Sequence, residues 1–240
     1  MTTTAGDFDQ QPPVQVTRYD TSIRDFCGAY EALFALAHCC LRAGLPDRAR
    51  ILIVGAGTGM ELLTFAPANP GWSFCGVDPS ADMLALARTK LAAAQLTNAI
   101  DLQQCRVADL APATLFDAAT CILVMHFLPD DGAKLGLLTD IRRRLQPDAP
   151  LILIDGVGEP GSAEFAALLA AWQHYPQLHG VPVATVATAF TEVILNMVRF
   201  VPESRIRELL HAAGFDRISR FATSFLYGGW YCRAATSTPQ

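Results

Sequence analysis

The run ILIVGAGTGM, residues 51–60, decides the fold. Residues 51–54 are apolar and have the length of a short strand. Gly55, Gly57 and Gly59 follow at once, ahead of a helical pattern through residues 61–65. Glycines at a strand-to-helix turn allow positive φ and let the backbone approach a bound nucleotide closely. The dinucleotide fingerprint G-x-G-x-x-G would need its third glycine where this chain has Met60, so the pattern is G-x-G-x-G. No Gly-Lys-Ser/Thr follows, which excludes a Walker loop.

Apolar runs and helical patterns alternate outward from this loop. Residues 19–43 carry Ile23, Phe26, Tyr30, Leu33, Phe34, Ala37 and Leu41 at helical spacing, predicting one long covering helix stopped by Gly44 and Pro46. Strands are predicted at residues 51–54, 73–77, 101–105, 117–124 and 150–155. Helices are predicted at 81–94 and 131–145, the second stopped by Pro147. Near-continuous apolar strands separated by helices indicate a parallel sheet covered on both faces.

Residues 1–18 read as a flexible arm. Within 156–202 the alternation breaks into two helical patterns, 163–174 and 184–199, separated by Pro176, Gly180 and Pro182. An insert at this point lies beyond the strand C-termini, where ligands bind in open α/β sheets. A helix at 203–213 and two closing strands complete the chain.

Composition narrows the function classes. With 51% apolar and 17% charged residues among 240, the chain can bury a core and is not a disordered polymer. The 18 basic against 23 acidic side chains, net charge −5, argue against a nucleic-acid binder. A mean hydropathy of +0.26 reads as buried sheet, since no run reaches the roughly 18–20 apolar residues of a spanning helix. The N-terminus shows no secretory signal, and seven cysteines without a C-x-x-C pair read as buried thiols in a reducing cytoplasm. No metal site is expected.

Asp78 ends the second predicted strand, where a carboxylate can accept both ribose hydroxyls of an adenosine. The blander alternatives are a tight turn for the glycines and a helix N-cap for Asp78 ahead of PSADML, residues 79–84.

With these residues in place the chain resembles a class I S-adenosylmethionine (SAM)-dependent methyltransferase over roughly residues 19–233. The resemblance rests on ILIVGAGTG (51–59), GVDPSADML (76–84), FDAATCILVMHFLPD (116–130), LQPDAPLILID (145–155) and LLHAAGFDRI (209–218). It implies a Rossmann-like α/β fold: a seven-stranded sheet, mostly parallel, whose last strand, SFLYGGWYCRA, is antiparallel. In layout, YDTSIRDFCGAYEAL (19–33) and LYGGWYCRA (226–234) are similar to the branch containing carboxy-SAM synthase, which modifies SAM instead of methylating with it.

The resemblance implies a SAM site formed by Gly55, Ala56, Gly57, Gly59, Asp78, Pro79, Met83, Arg106, Val107 and Asp109. Tyr30 falls where the carboxy-SAM branch has a tyrosine over the donor; read without the family, it is an amphipathic-helix residue. Two positions depart from the family pattern. Ile53 replaces an acidic residue near the methionine end of SAM, and Arg106 replaces an adenine-contacting Asp, leaving the Val107 amide and Asp109 for the ring. That branch's carboxylate-holding Arg has no counterpart in 184–200 beyond Arg199 at the far end, which favours ordinary SAM.

Methyl transfer needs a base only when the acceptor must lose a proton. His126, after the fourth strand, is the candidate base, with loop organisation as its structural alternative. Trp172, His174, Tyr175 and Trp230 are candidate walls of an apolar acceptor pocket, core packing being the alternative for the aromatics. The sequence thus predicts a cytoplasmic methyltransferase acting on a small, apolar or aromatic acceptor, with no nucleic-acid or membrane partner and a homodimer left open. A SAM-modifying enzyme of the carboxy-SAM synthase type and a non-catalytic SAM-binding module are the competing readings.

Overall fold

The computed structural model describes residues 15–111 and 115–236. Most of the predicted N-terminal arm therefore lies outside the described residues, and its last residues already belong to helix α1 (Val16–Phe26). The predicted single covering helix is two helices. After α1 the chain breaks at Cys27–Ala29, with Ala29 in the left-handed region (φ 63°), and α2 (Tyr30–Gly44) begins. Ser224 Oγ donates to the Gly28 carbonyl at 2.7 Å, so tertiary contact fixes a break that helical periodicity does not register.

The strands are β1 (Ala49–Val54), β2 (Trp72–Val77), β3 (Ile100–Gln103), β4 (Ala118–Ile122), β5 (Pro150–Gly156), β6 (Phe215–Ser224) and β7 (Tyr227–Ala234). They form one seven-stranded sheet in the order β3-β2-β1-β4-β5-β7-β6, parallel except for β7, which runs antiparallel to both its neighbours. Helices α3 (Met60–Phe65), α4 (Ala81–Ala93), α5 (Ala133–Arg143) and α9 (Glu203–Ala212) connect or cover these strands. The insert holds α6 (Ala163–Leu178), α7 (Val183–Thr188) with a π-helical continuation (Ala189–Ile194), and the short α8 (Leu195–Met197). Pro176 does not separate the insert's helices, as the sequence suggested. It sits buried in the last turn of α6, where its fixed φ fits, and the helix ends at Leu178, two residues before Gly180 (φ 82°).

Two cores explain why the strands are apolar on both sides. Ile51 and Ile53 of β1 pack with Leu33, Phe34, Leu62 and Leu84 on one face. Leu52 and Val54 pack with Leu138, Ile141, Leu209 and Leu210 on the other. Each such side chain contributes roughly 1.5–3 kcal/mol when fully buried.

Strand order reverses between β1 and β4, which opens a crevice at their C-terminal ends. Helix α4 is capped there by Ser80, whose side chain accepts the Met83 N–H, so the cap belongs to Ser80 and not to Asp78.

Trp230 was expected in the acceptor pocket, and the register of β7 places it elsewhere. It stands opposite Leu153 in the β5–β7 pair, shares that residue's face, and is fully buried in the core beneath α5 and α9. Arg220 lies over its ring at 5.6 Å. Replacing Trp230 by alanine should therefore lower unfolding free energy by about 3–5 kcal/mol in denaturant titrations. Ligand affinity under native conditions should stay within about twofold, because the residue contacts neither cavity described below.

Candidate functional site

The glycine turn and the turn after β4 face each other across the crevice. Gly55 (φ 71°) donates its N–H to the Val77 carbonyl at 2.9 Å, and a Cβ on it would come 2.3 Å from Val124 Cγ2. Gly57 also has positive φ, and a Cβ there would meet no side chain, only open space beside the Gly55 carbonyl. Asp78 braces this turn: Oδ2 accepts the Gly57 N–H and Oδ1 the Ser80 N–H, both at 2.8 Å. On the opposing turn Leu123 is held at φ 59°, a conformation costing a β-carbon-bearing residue roughly 1–3 kcal/mol. Its N–H donates to Ile154 at 2.7 Å.

Two cavities flank these turns. The first, about 660 Å³, is lined by Gly55, Gly57, Asp78, Pro79, Met83, Arg106 and Val107, together with Ala108, Val124 and Leu128. Seven of the predicted cofactor residues thus converge. Four do not. Ala56 and Gly59 shape the turn without lining the cavity, Gly59 being packed against Ala87. Asp109 is exposed and accepts its own turn's Arg106 N–H at 3.4 Å, so it is aimed away from a bound ring. Tyr30 is buried edge-on against Phe34 beneath the Arg24 guanidinium.

The second cavity, about 600 Å³, is largely apolar. Its walls are α1 (Ile23, Phe26) with the following Cys27, the insert (Thr185, Thr188, Val193, Ile194, Met197) and a floor of His126, Trp172 and Tyr227. Trp172 donates its indole N–H to the Phe26 carbonyl at 2.6 Å and packs edge-on against Phe190 and Tyr227. His174 is exposed on the outer side of α6 and does not reach the cavity. Tyr175 packs against Phe225 and His179 instead, because α6 turns only one face inward.

Tyr19, Leu123 and Phe127 line both cavities. Sequence reasoning missed Tyr19 because it treated α1 and α2 as one helix and looked to Tyr30. Its position is set by its neighbour Asp20, which accepts from Thr58 Oγ1 at 2.5 Å and from Lys90 Nζ at 2.6 Å, clamping α1 over the glycine turn. Burial, then the neighbouring Cys27, Asp78 and Asp20, push the Tyr19 phenol far up, so it stays protonated.

His126 is buried in the short turn Met125–Phe127, with Nδ1 2.8 Å from Asp155 Oδ1. Asp155 and Lys134, both fully buried, escaped the sequence reading. Lys134 shares the buried stripe of α5 with Leu138 and Ile141, and a lysine on an apolar stripe was the available signal. Burial lowers its ammonium pKa, an effect opposed by Asp155 and Asp130. Among the described residues no His, Cys, Asp or Glu group could hold a metal ion, and no helix is long and apolar enough to cross a membrane.

Comparison with known proteins bears on this geometry. The sequence profile described as a methyltransferase domain matches this chain over the stretch from β1 to the start of β5, residues 52–151. The chain is 29% identical over 183 residues to demethylmenaquinone methyltransferase of Deinococcus radiodurans, covering 75% of this chain and 73% of that protein. It is 34% identical over 105 residues to an uncharacterized Synechococcus protein, 43% of this chain but a quarter (25%) of that one's length. Among solved structures, magnesium protoporphyrin IX methyltransferase from Synechocystis, with bound SAH, superposes with a TM-score of 0.63 at 18% identity. That likeness covers 94% of this chain and 90% of the other, and establishes the shared fold. Both the glycine turn and Asp78 lie inside the matched residues, whereas α1, α2 and the insert lie outside them.

Beneath the glycine turn, Ile53 is core, and the nearby acid is Glu61 of α3, buried with Oε1 lacking a hydrogen-bond partner. Burial pushes its carboxyl up to about 8, against a smaller opposing effect of Thr120. The folded state then holds a proton that the unfolded chain releases above its ordinary carboxyl value of 4.5. The contribution is fully present below that value and is lost as pH rises toward about 8, at about 1.4 kcal/mol per pH unit. Glu61→Gln should flatten this slope in denaturant unfolding measured from pH 5 to 8.

Proposed function

We propose that this chain is a SAM-dependent methyltransferase whose acceptor is a small, largely apolar or aromatic molecule. The observation that carries this reading is the adjoining pair of cavities, one polar-rimmed with Asp78 and the glycine turn, the other apolar, sharing Tyr19, Leu123 and Phe127. The sizes of both fall in the usual range for small-ligand sites.

The residues present fit the donor. An ionised carboxylate offers roughly four acceptor sites, so Asp78 can accept ribose hydroxyls in addition to the backbone donors it already holds. Pro79, Met83 and Val107 give an apolar slot for the adenine ring, and the open side of Gly57 leaves room for the ligand. Bound SAM supplies a methyl group already activated as part of a sulfonium. What remains for the protein is to bind, orient and exclude water. Tyr19, Leu123 and Phe127 frame the passage between the cavities, while α1 and the insert cover the acceptor side. Such positioning supplies up to about 7–11 kcal/mol of barrier lowering in favourable systems.

We favour this over the carboxy-SAM synthase type because Tyr30 and Arg199, on which a carboxylated donor would rest, line neither cavity. The acidic balance supports a free small molecule over a nucleic acid as acceptor, and the seven free thiols are consistent with a cytoplasmic setting.

Titration calorimetry with SAM and S-adenosylhomocysteine tests the reading, followed by release of S-adenosylhomocysteine with a panel of small aromatic acceptors. Both nucleosides should bind wild-type protein. Asp78→Ala should weaken them about 10- to 100-fold, the range of a charge-assisted hydrogen bond. A wild-type chain that binds neither would overturn the proposal, and tight binding without turnover on any acceptor would favour a non-catalytic module.

A further inference from the structure

What the apolar cavity can hold is limited by what its walls lack. Among the described residues, none that lines it is Asp, Glu, Lys or Arg. The insert that forms one wall has no such residue anywhere between Glu164 and Glu192. Burial pushes the Cys27 thiol up to about 12 and drives the Tyr19 and Tyr227 phenols higher still, so these wall groups stay neutral. His126 has Nδ1 2.8 Å from Asp155 Oδ1, so a charge on the ring would be matched by the carboxylate behind it. Neutral hydroxyls, those of Ser22 on α1 and of Thr185 and Thr188 on α7, supply donors and acceptors along the wall.

The neutrality of that wall depends on a departure from α-helical geometry. Thr185 and Thr188 face the cavity from α7, and in a continued α-helix residue 192 would follow them, at the i, i+3, i+7 spacing of one face. Residue 192 is a glutamate. Instead the segment Ala189–Ile194 is π-helical, and its i→i+5 hydrogen bonds take more residues per turn than an α-helix does. The wider turn rotates the carboxylate out. Glu192 is exposed and lines neither cavity, and Val193 stands on the wall in its place, continued by Ile194 and Met197. Asn196 Nδ2 donates to the Thr191 carbonyl at 2.9 Å and to the Glu192 carbonyl at 3.1 Å, so a side chain holds the turn as well as its own backbone. Such turns are rare within helices and recur at functional sites.

We infer that the acceptor is electrically neutral where it lies in this cavity, with no carboxylate, sulfonate, phosphate or ammonium group there, and that the π-turn sets this selectivity. This rests on the methyltransferase reading and narrows its acceptor class. An anion would lose its hydration with no Lys or Arg on the walls to replace it. An ammonium would meet the same cost, because the insert's Glu192 is turned to solvent. A neutral lipophile with a hydroxyl or carbonyl group meets apolar side chains over its body and a serine or threonine hydroxyl at its polar atom.

The test uses three ligands with one ring system, on the full-length chain saturated with S-adenosylhomocysteine: 2-naphthylmethanol, 2-naphthoate and 2-naphthylmethylammonium. Their dissociation constants are read, without turnover, by displacement of the neutral dye N-phenyl-1-naphthylamine. The alcohol should bind about 10- to 100-fold more tightly than either ion. Val193→Arg puts a cation on the wall and should tighten naphthoate about tenfold, and Val193→Glu should do the same for the ammonium. Thr191→Arg adds the same charge at an exposed position outside the wall, and should leave all three constants within about threefold. An alcohol that binds no better than the ions would overturn the inference while sparing the methyltransferase reading, since the donor product is bound in every titration. A Thr191→Arg effect on naphthoate equal to that of Val193→Arg would overturn it too, by showing that net charge and not the wall decides. If one Val193 variant fails to fold by circular dichroism, the other and the wild-type ranking still decide. Failure of the chain to bind S-adenosylhomocysteine at all would remove both readings.

Discussion

The approach of Gly55 to Val124 is the constraint from which the rest of the site follows. A Cβ at Gly55 would overlap Val124 Cγ2, so the glycine turn and the turn after β4 meet only because one of them lacks a side chain. Their meeting lies where strand order reverses, and both residues line the cavity at the glycine turn. Leu123, forced to positive φ beside that contact, becomes part of the wall common to both. Backbone strain of this kind persists where surrounding structure over-determines it, here by the Leu123 N–H bond to Ile154 on β5.

Around that contact the molecule places its costly groups in pairs. Asp78 braces the glycine turn from β2, and Asp20 clamps α1 onto it through Thr58 and Lys90. On the acceptor side Asp155 holds His126 and Lys134 holds the turn that carries it. Buried charges are destabilising unless neutralised and hydrogen-bonded, so each of these groups limits how the neighbouring turn can move. The cavity at the glycine turn combines an apolar lining with Asp78 and Arg106 at its wall, and the other is aromatic and aliphatic surface with one imidazole. That division suits a polar nucleoside on one side and an apolar acceptor on the other.

The parts legible in the sequence are those that depend on local pattern. The glycine turn, Asp78 and the alternating apolar strands sit within a few residues of where periodicity and turn chemistry put them, because both faces of the sheet are buried. Tertiary register was not legible. Trp230 and the aromatics of the insert look equivalent in sequence, yet pairing with Leu153 sends Trp230 to the opposite face, and a one-residue slip would have reversed that. The break at Ala29 has no turn residue to announce it beyond Gly28, so the pattern points to Tyr30, whereas Tyr19 is the tyrosine of these two helices that lines the cavities. Asp155 ends a predicted strand, and Lys134 is one of only two lysines in the chain. Their burial is a property of how α5 packs on β4 and β5, although the lysine's place on an apolar stripe did mark it.

The account's central claim is that donor and acceptor meet across the passage framed by Tyr19, Leu123 and Phe127. A crystal structure of the chain grown with S-adenosylhomocysteine tests it most directly. The account predicts the ribose hydroxyls within hydrogen-bond distance of Asp78, the adenine between Met83 and Val107, and the sulfur facing the passage toward His126. A nucleoside bound elsewhere, or one whose sulfur points away from the apolar cavity, would contradict it.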